Sequence, residues 1–238
     1  MAIDDPVEAI QKQYKDEANP IIKKLLELAG KLHPAIGIVN VVRTWFSEDM
    51  ATAKINALLD QLIGDVKRCE ESLGKPIDAS KLFETPAFAE AVLAAMNESV
   101  RTADINKIKR YAAVLGSGIS GTLTPWDEIA AYIRDLSQLT ELDITVLRIL
   151  YDTQRRVFQE PSQVTNPNNF TDKMPELLKK VDMAKISHDD FYARCARLSG
   201  FGLALEVQRN DARYAPSEHC FRLTGRGYDL TTMLRHLD

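Results

Sequence analysis

The chain has no long apolar run, no paired cysteines and no strong charge of either sign, and each lack removes a class of function. Its most apolar patch, Pro34 to Val42, is far short of the roughly 20 residues that span a bilayer, and Asn40 and Arg43 interrupt it. No membrane association is expected. The start, Met1-Ala2-Ile3-Asp4-Asp5-Pro6, is acidic and lacks the apolar stretch of a secretion signal. Three cysteines, Cys69, Cys195 and Cys220, are widely spaced and form no C-x-x-C pair. That pattern suits reduced thiols in a cytoplasm and argues against a disulfide frame or a zinc site. A net charge of −4 gives the molecule no general pull toward phosphate or anionic lipid.

What is present is an ordinary globular composition, 45% hydrophobic and 27% charged, over 238 residues, enough to bury a core. Helix signals dominate to about residue 158. Asp5-Pro6, Asn19-Pro20, Thr85-Pro86 and Thr124-Pro125 each set a capping side chain before a proline suited to the first helical position. Ser47 precedes a long helix that should stop at Gly74 in a left-handed cap. Along it Ile55, Leu59, Leu62, Val66, Cys69 and Leu73 alternate by four and three, the spacing of helices packed at a shallow angle. An intramolecular bundle is the reading taken, and a homodimer paired through the Ile55 to Leu73 seam is the alternative. A further helix is expected from Ile105 to Leu115, and another from Glu141 to Phe158. The polar segment Gln159 to Asp172 reads as an inserted loop.

Chemistry-bearing motifs are weak. Gly116-Ser117-Gly118-Ile119-Ser120-Gly121 matches a dinucleotide fingerprint, which needs a strand before it and a helix beginning inside it. Here the preceding residues have helical spacing, so a flexible helix-to-helix turn is expected. Ser72-Leu73-Gly74-Lys75 has a nucleophile spacing without its partner motifs. The four histidines, His33, His188, His219 and His236, never fall at metal-ligand spacing. No catalytic residue, metal site or cofactor is expected.

The last fifty residues carry the pattern with most content. Ser187-His188-Asp189-Asp190-Phe191 opens a helix that exits through Gly200-Phe201-Gly202. Two alternating segments follow, Ala204 to Arg209 and His219 to Thr224, then Gly225-Arg226-Gly227 and an amphipathic tail from Tyr228 to Leu237. At about 100° per residue, Phe191, Cys195 and Leu198 form a buried stripe with Arg194 on its flank. The opposite face presents Asp189, Asp190, Ala193, Ala196 and Arg197. Among these, Arg197 alone suits a base or phosphate contact. Arg209, Arg213 and Tyr214 sit at the hairpin tip, where they could reach a phosphate. From Lys173 to Arg226 ten basic residues stand against seven acidic ones, an excess of three and a mild one.

Leu198-Ser199-Gly200-Phe201-Gly202-Leu203 and Phe221-Arg222-Leu223-Thr224-Gly225-Arg226-Gly227 resemble the recognition-helix exit and the second wing strand of the winged-helix superfamily. The resemblance covers about residues 141 to 238. A longer and looser one covers about 80 to 238, on the runs 95–102, 107–115 and 133–140. It is to bacterial helical proteins of the abortive-infection alpha type and their uncharacterised relatives. That resemblance implies a bacterial, cytoplasmic protein tied to phage defence and brings no catalytic residues.

The expected architecture is therefore mainly α. A helical bundle over 1–140 precedes a winged-helix domain over 141–238 with a two-stranded β wing and an insertion loop at 159–172. Its core should hold Leu147, Leu150, Leu177, Phe191, Leu198, Leu203, Leu223 and Leu234. The leading functional expectation is a non-enzymatic regulatory or interaction protein whose winged helix binds a protein partner. One alternative is a DNA-binding transcriptional regulator contacting phosphate through Arg197, Arg209 and Arg213. A second is a nucleotide-binding protein or enzyme using the 116–121 glycine segment.

Overall fold

The computed structural model describes residues 23, 25, 48–77, 86–120, 125–160, 168–207 and 220–237. The chain is mainly α with one small antiparallel sheet near its C-terminus. It divides into two compact units, residues 1–138 with 236–238, and residues 139–235. Among the described residues no helix is long and apolar enough to cross a membrane. Asp5-Pro6, Asn19-Pro20, Ser47, Thr85 and Thr124 lie outside the described residues.

The first unit is a helical bundle. Helix α1 (Glu48–Leu73) ends at Gly74, whose φ of 62° places it in the left-handed region that glycine enters without strain. Helix α2 (Pro86–Arg101) opens on its proline. Helix α3 (Ile105–Ile119) starts from Asp104, whose side chain accepts from the Asn106 N–H at 2.8 Å. Helix α4 (Trp126–Gln138) follows. Helix α1 packs on α2 and α3, and α4 on the same two. Leu59, Leu62 and Val66, the centre of the α1 seam, are buried in this core, while Leu73 at its end is exposed.

The glycine segment at 116 is not the expected turn. Helix α3 runs through Gly116, Ser117, Gly118 and Ile119, four residues past Leu115. The glycines serve packing. A Cβ on Gly116 would lie 3.2 Å from the Asp65 Cβ on α1, and one on Gly118 would lie 2.8 Å from the Trp126 ring. That ring stands edge-on to Phe88 at 4.8 Å. Amides inside a helix are committed to carbonyls four residues back, so they cannot cradle a pyrophosphate. The nucleotide fingerprint is a match of letters only.

The second unit begins with a reciprocal cap. The Thr140 N–H donates to Asp143 Oδ2 at 2.7 Å, and the Asp143 N–H donates to Thr140 Oγ1 at 3.3 Å, opening α5 (Glu141–Gln159). The segment read as a loop contains one helical turn, α6 (Asn168–Thr171), because Phe170 is buried. Phe170 meets Phe158 at 5.9 Å, and Phe158 stacks on Tyr228 at 4.8 Å. Burial of an aromatic side chain outweighs the polar composition around it.

Helices α7 (Met174–Met183) and α8 (His188–Gly200) follow, joined by the short segment 184–187. Both end in the same six-residue hydrogen-bond pattern. At α7 the Lys185 N–H donates to Asp182 O at 2.9 Å and the Ile186 N–H to Val181 O at 3.2 Å. At α8 the Gly202 N–H donates to Ser199 O at 2.9 Å and the Leu203 N–H to Leu198 O at 3.0 Å. The left-handed position is a glycine at 202 (φ 68°) but a lysine at 185 (φ 57°). A side chain there costs about 1–2 kcal/mol, while glycine loosens the unfolded chain by about 0.4–1 kcal/mol. Lys185→Gly should therefore stabilise the second unit by about 0.5–1 kcal/mol. The check is a higher urea midpoint at unchanged slope.

The wing consists of β1 (Ala204–Val207) paired antiparallel with β2 (Cys220–Leu223), with Ala204 opposite Leu223 and Val207 opposite Cys220. Of the two alternating segments, residues 208, 209 and 219 lie outside the described residues, and Thr224 stands just past β2. Helix α9 (Gly225–Leu234) begins at Gly225, three residues before Tyr228, because Thr224 caps it and its hydroxyl accepts from the Gly227 N–H at 3.0 Å. All eight side chains expected in this core are buried.

Gln154, on α5, closes the second edge of β2. Its Nε2–H donates to Phe221 O at 2.9 Å and its Oε1 accepts from the Leu223 N–H at 2.8 Å. One side-chain amide thus pairs the backbone as a neighbouring strand would. Gln154→Leu keeps the volume but strands a buried carbonyl and a buried N–H, each worth about 1–3 kcal/mol. Extra apolar burial returns part of that. A net loss of about 2 kcal/mol is expected in urea unfolding.

Candidate functional site

The sequence placed its candidate face on α8, and the side chains follow that reading. Phe191, Cys195 and Leu198 are buried, while Asp189, Asp190, Ala193, Ala196 and Arg197 are exposed. The local cause of the acidic end is the helix itself. Ser187 is the N-cap, accepting from the Asp190 N–H at 3.1 Å while its hydroxyl donates to Asp190 Oδ2 at 2.7 Å. Two carboxylates in a first turn suit the positive end of the helix dipole. His188 Nε2 lies 3.0 Å from Asp182 Oδ1, tying the start of α8 to the end of α7. Met183 beside this turn is 75% exposed.

Arg197, exposed on α8, also faces a buried carboxylate. Its Nε lies 3.5 Å from Asp143 Oδ2, and Arg194 Nη1 lies 3.5 Å from Asp143 Oδ1. The Asp143 side chain is 0% exposed, against 29% for Arg194 and 42% for Arg197. Both arginines of the helix are therefore drawn onto one buried carboxylate at the start of α5. A carboxylate without solvent needs such partners, since desolvation of the charge is otherwise costly. The exposed positions of α8 are His188, Asp189, Asp190, Ala193, Ala196, Arg197 and Gly200.

Sequence reasoning missed Asp143 and Gln154. The spacing Thr140-x-x-Asp143 is readable as a capping box. The arginines that meet it are about fifty residues further along, and no local pattern links them. Arg222, counted among the basic residues of the wing, lies with its Cζ 5.2 Å above the Phe170 ring and helps cover that aromatic. The tip candidates Arg209, Arg213 and Tyr214 lie outside the described residues, as do His33 and His219.

Cys195 is fully buried, and burial first, then the nearby Cys220, pushes its thiol well above the ordinary range. A thiol held protonated is a poor nucleophile and metal ligand. Among the described residues no group of three or more His, Cys, Asp or Glu side chains could hold a metal ion. No family model, no curated protein and no solved structure matches this chain.

Proposed function

We propose that the C-terminal unit is a winged helix that docks a protein partner, and that the chain acts as a non-enzymatic interaction or regulatory protein. One observation carries this reading. The exposed face of α8 shows Asp189, Asp190, Ala193, Ala196 and Arg197, and its one cation there, like the half-buried Arg194, lies 3.5 Å from the Asp143 carboxylate. A helix entering the major groove meets a dense row of phosphates, which that face repels. A protein surface makes no such demand.

The test is fluorescence anisotropy of the full chain with mixed-sequence duplex DNA between about 50 and 200 mM salt. The expected result is no saturable binding even at the low-salt end. Tight binding that falls steeply with salt overturns the proposal and favours a DNA regulator acting through the hairpin tip.

A further inference from the structure

We infer that Asp143 is the specificity-determining residue that keeps α8 off nucleic acid, acting as an internal stand-in for a phosphate. The inference rests on the docking reading above and explains why the face is not a DNA reader. Asp143 receives the Thr140 N–H at 2.7 Å and the Thr140 hydroxyl at 2.8 Å on Oδ2, with Arg197 Nε at 3.5 Å from the same oxygen. Arg194 Nη1 is 3.5 Å from Oδ1. A backbone amide at a helix N-terminus, a hydroxyl and two guanidinium groups are the donor types that hold phosphate oxygens. Here the chain fills that set with its own carboxylate, which the cap fixes in place.

The charge count points the same way. Asp189 and Asp190 cancel Arg194 and Arg197 on α8, and Asp143 adds one more negative charge against the two guanidinium groups. An incoming phosphate must therefore compete for both arginines with a carboxylate already beside them. Neutralising that carboxylate leaves the donors and removes the negative charge that competes at both arginines.

The experiment compares wild type, Asp143→Asn, and Asp143→Asn combined with Arg194→Ala and Arg197→Ala, all as full-length chains binding the same mixed duplex. Asp143→Asn should bind at least about tenfold tighter than wild type near 50 mM salt, with a log–log salt slope steeper by about 2, one phosphate per arginine. The triple variant should lose that gain. Asp143→Asn with a wild-type circular dichroism spectrum and no gain overturns the inference, and so does a triple variant that binds as well as Asp143→Asn. Ala193→Arg covers the case in which the neutral variant does not fold, since Ala193 is exposed on α8. It sets an arginine on the same face away from the Asp143 pair, and should bring salt-dependent binding to the wild-type background. No binding by Ala193→Arg means that something other than Asp143 keeps the face from DNA. Tight binding by wild type itself instead sinks the docking reading.

Discussion

Gly227→Ala is expected to destabilise the second unit by about 3 kcal/mol or more, beyond the usual range for one added methyl. Alanine is the better helix former by about 1 kcal/mol, so propensity alone gives the opposite sign. Packing decides. A Cβ at Gly227 would stand 2.0 Å from Leu203 O and 2.9 Å from Leu203 C, which are backbone atoms and cannot rotate away. That carbonyl accepts from the Thr224 N–H at 3.1 Å. Thr224 in turn donates through its hydroxyl to Gly202 O at 2.7 Å, and Arg226 Nη1 donates to Phe201 O at 2.6 Å. Moving Leu203 by roughly an ångström to restore ordinary contact disturbs the exit of α8, the first pair of the wing and the cap of α9 together. Hydrogen exchange reads the outcome directly. Amides of β1 should exchange about a hundredfold faster than in wild type, the equivalent of about 3 kcal/mol. Gly225→Ala is the control, since a Cβ there meets nothing within 4 Å, and it should exchange as wild type does.

The same glycines show what a sequence discloses. Gly74 and Gly202 were legible as helix stops because a left-handed cap is a local demand on one residue. The Phe191, Cys195 and Leu198 stripe was legible for a similar reason, since its period belongs to one helix. Gly116, Gly118 and Gly227 were not, because the atoms that require them, on Asp65, Trp126 and Leu203, are distant in the chain or lie across a turn. Their spacing suggested a helix-to-helix turn at 116 and placed 225–227 ahead of the closing helix, where the structure has helix in both places. Lys185 hid a left-handed cap behind a residue that disfavours it. For the candidate face, its membership was readable from α8 alone. Its meaning was not, because that depends on where Arg194 and Arg197 point, and Asp143 decides that from another helix.

Replacing both arginines, Arg194→Met with Arg197→Met, should cost about 3 kcal/mol. Removing the partners of a buried charge is typically worth about 3–5 kcal/mol, and the partial exposure of both guanidinium groups puts this case at the lower end. Methionine keeps much of each apolar stem, so the loss reports charge more than packing. The carboxylate then keeps Thr140 as its polar support at the α5 start, with no cation opposite. Asp143→Asn removes the charge instead, and its amide oxygen can still accept from Thr140. The two arginines, already partly exposed, then turn to water. That variant should lose only about 1 kcal/mol, the worth of a charged cap over a neutral one. The order of the two losses matters more than either value, and paired urea titrations measure it. A double arginine variant that loses more than Asp143→Asn shows that the cations are held on α5 to serve the buried carboxylate. If instead the arginine pair proves nearly silent, Asp143 is sufficiently satisfied by Thr140 alone. Asp143 then no longer accounts for where Arg194 and Arg197 lie, and the case for a docking helix rather than a nucleic-acid reader weakens.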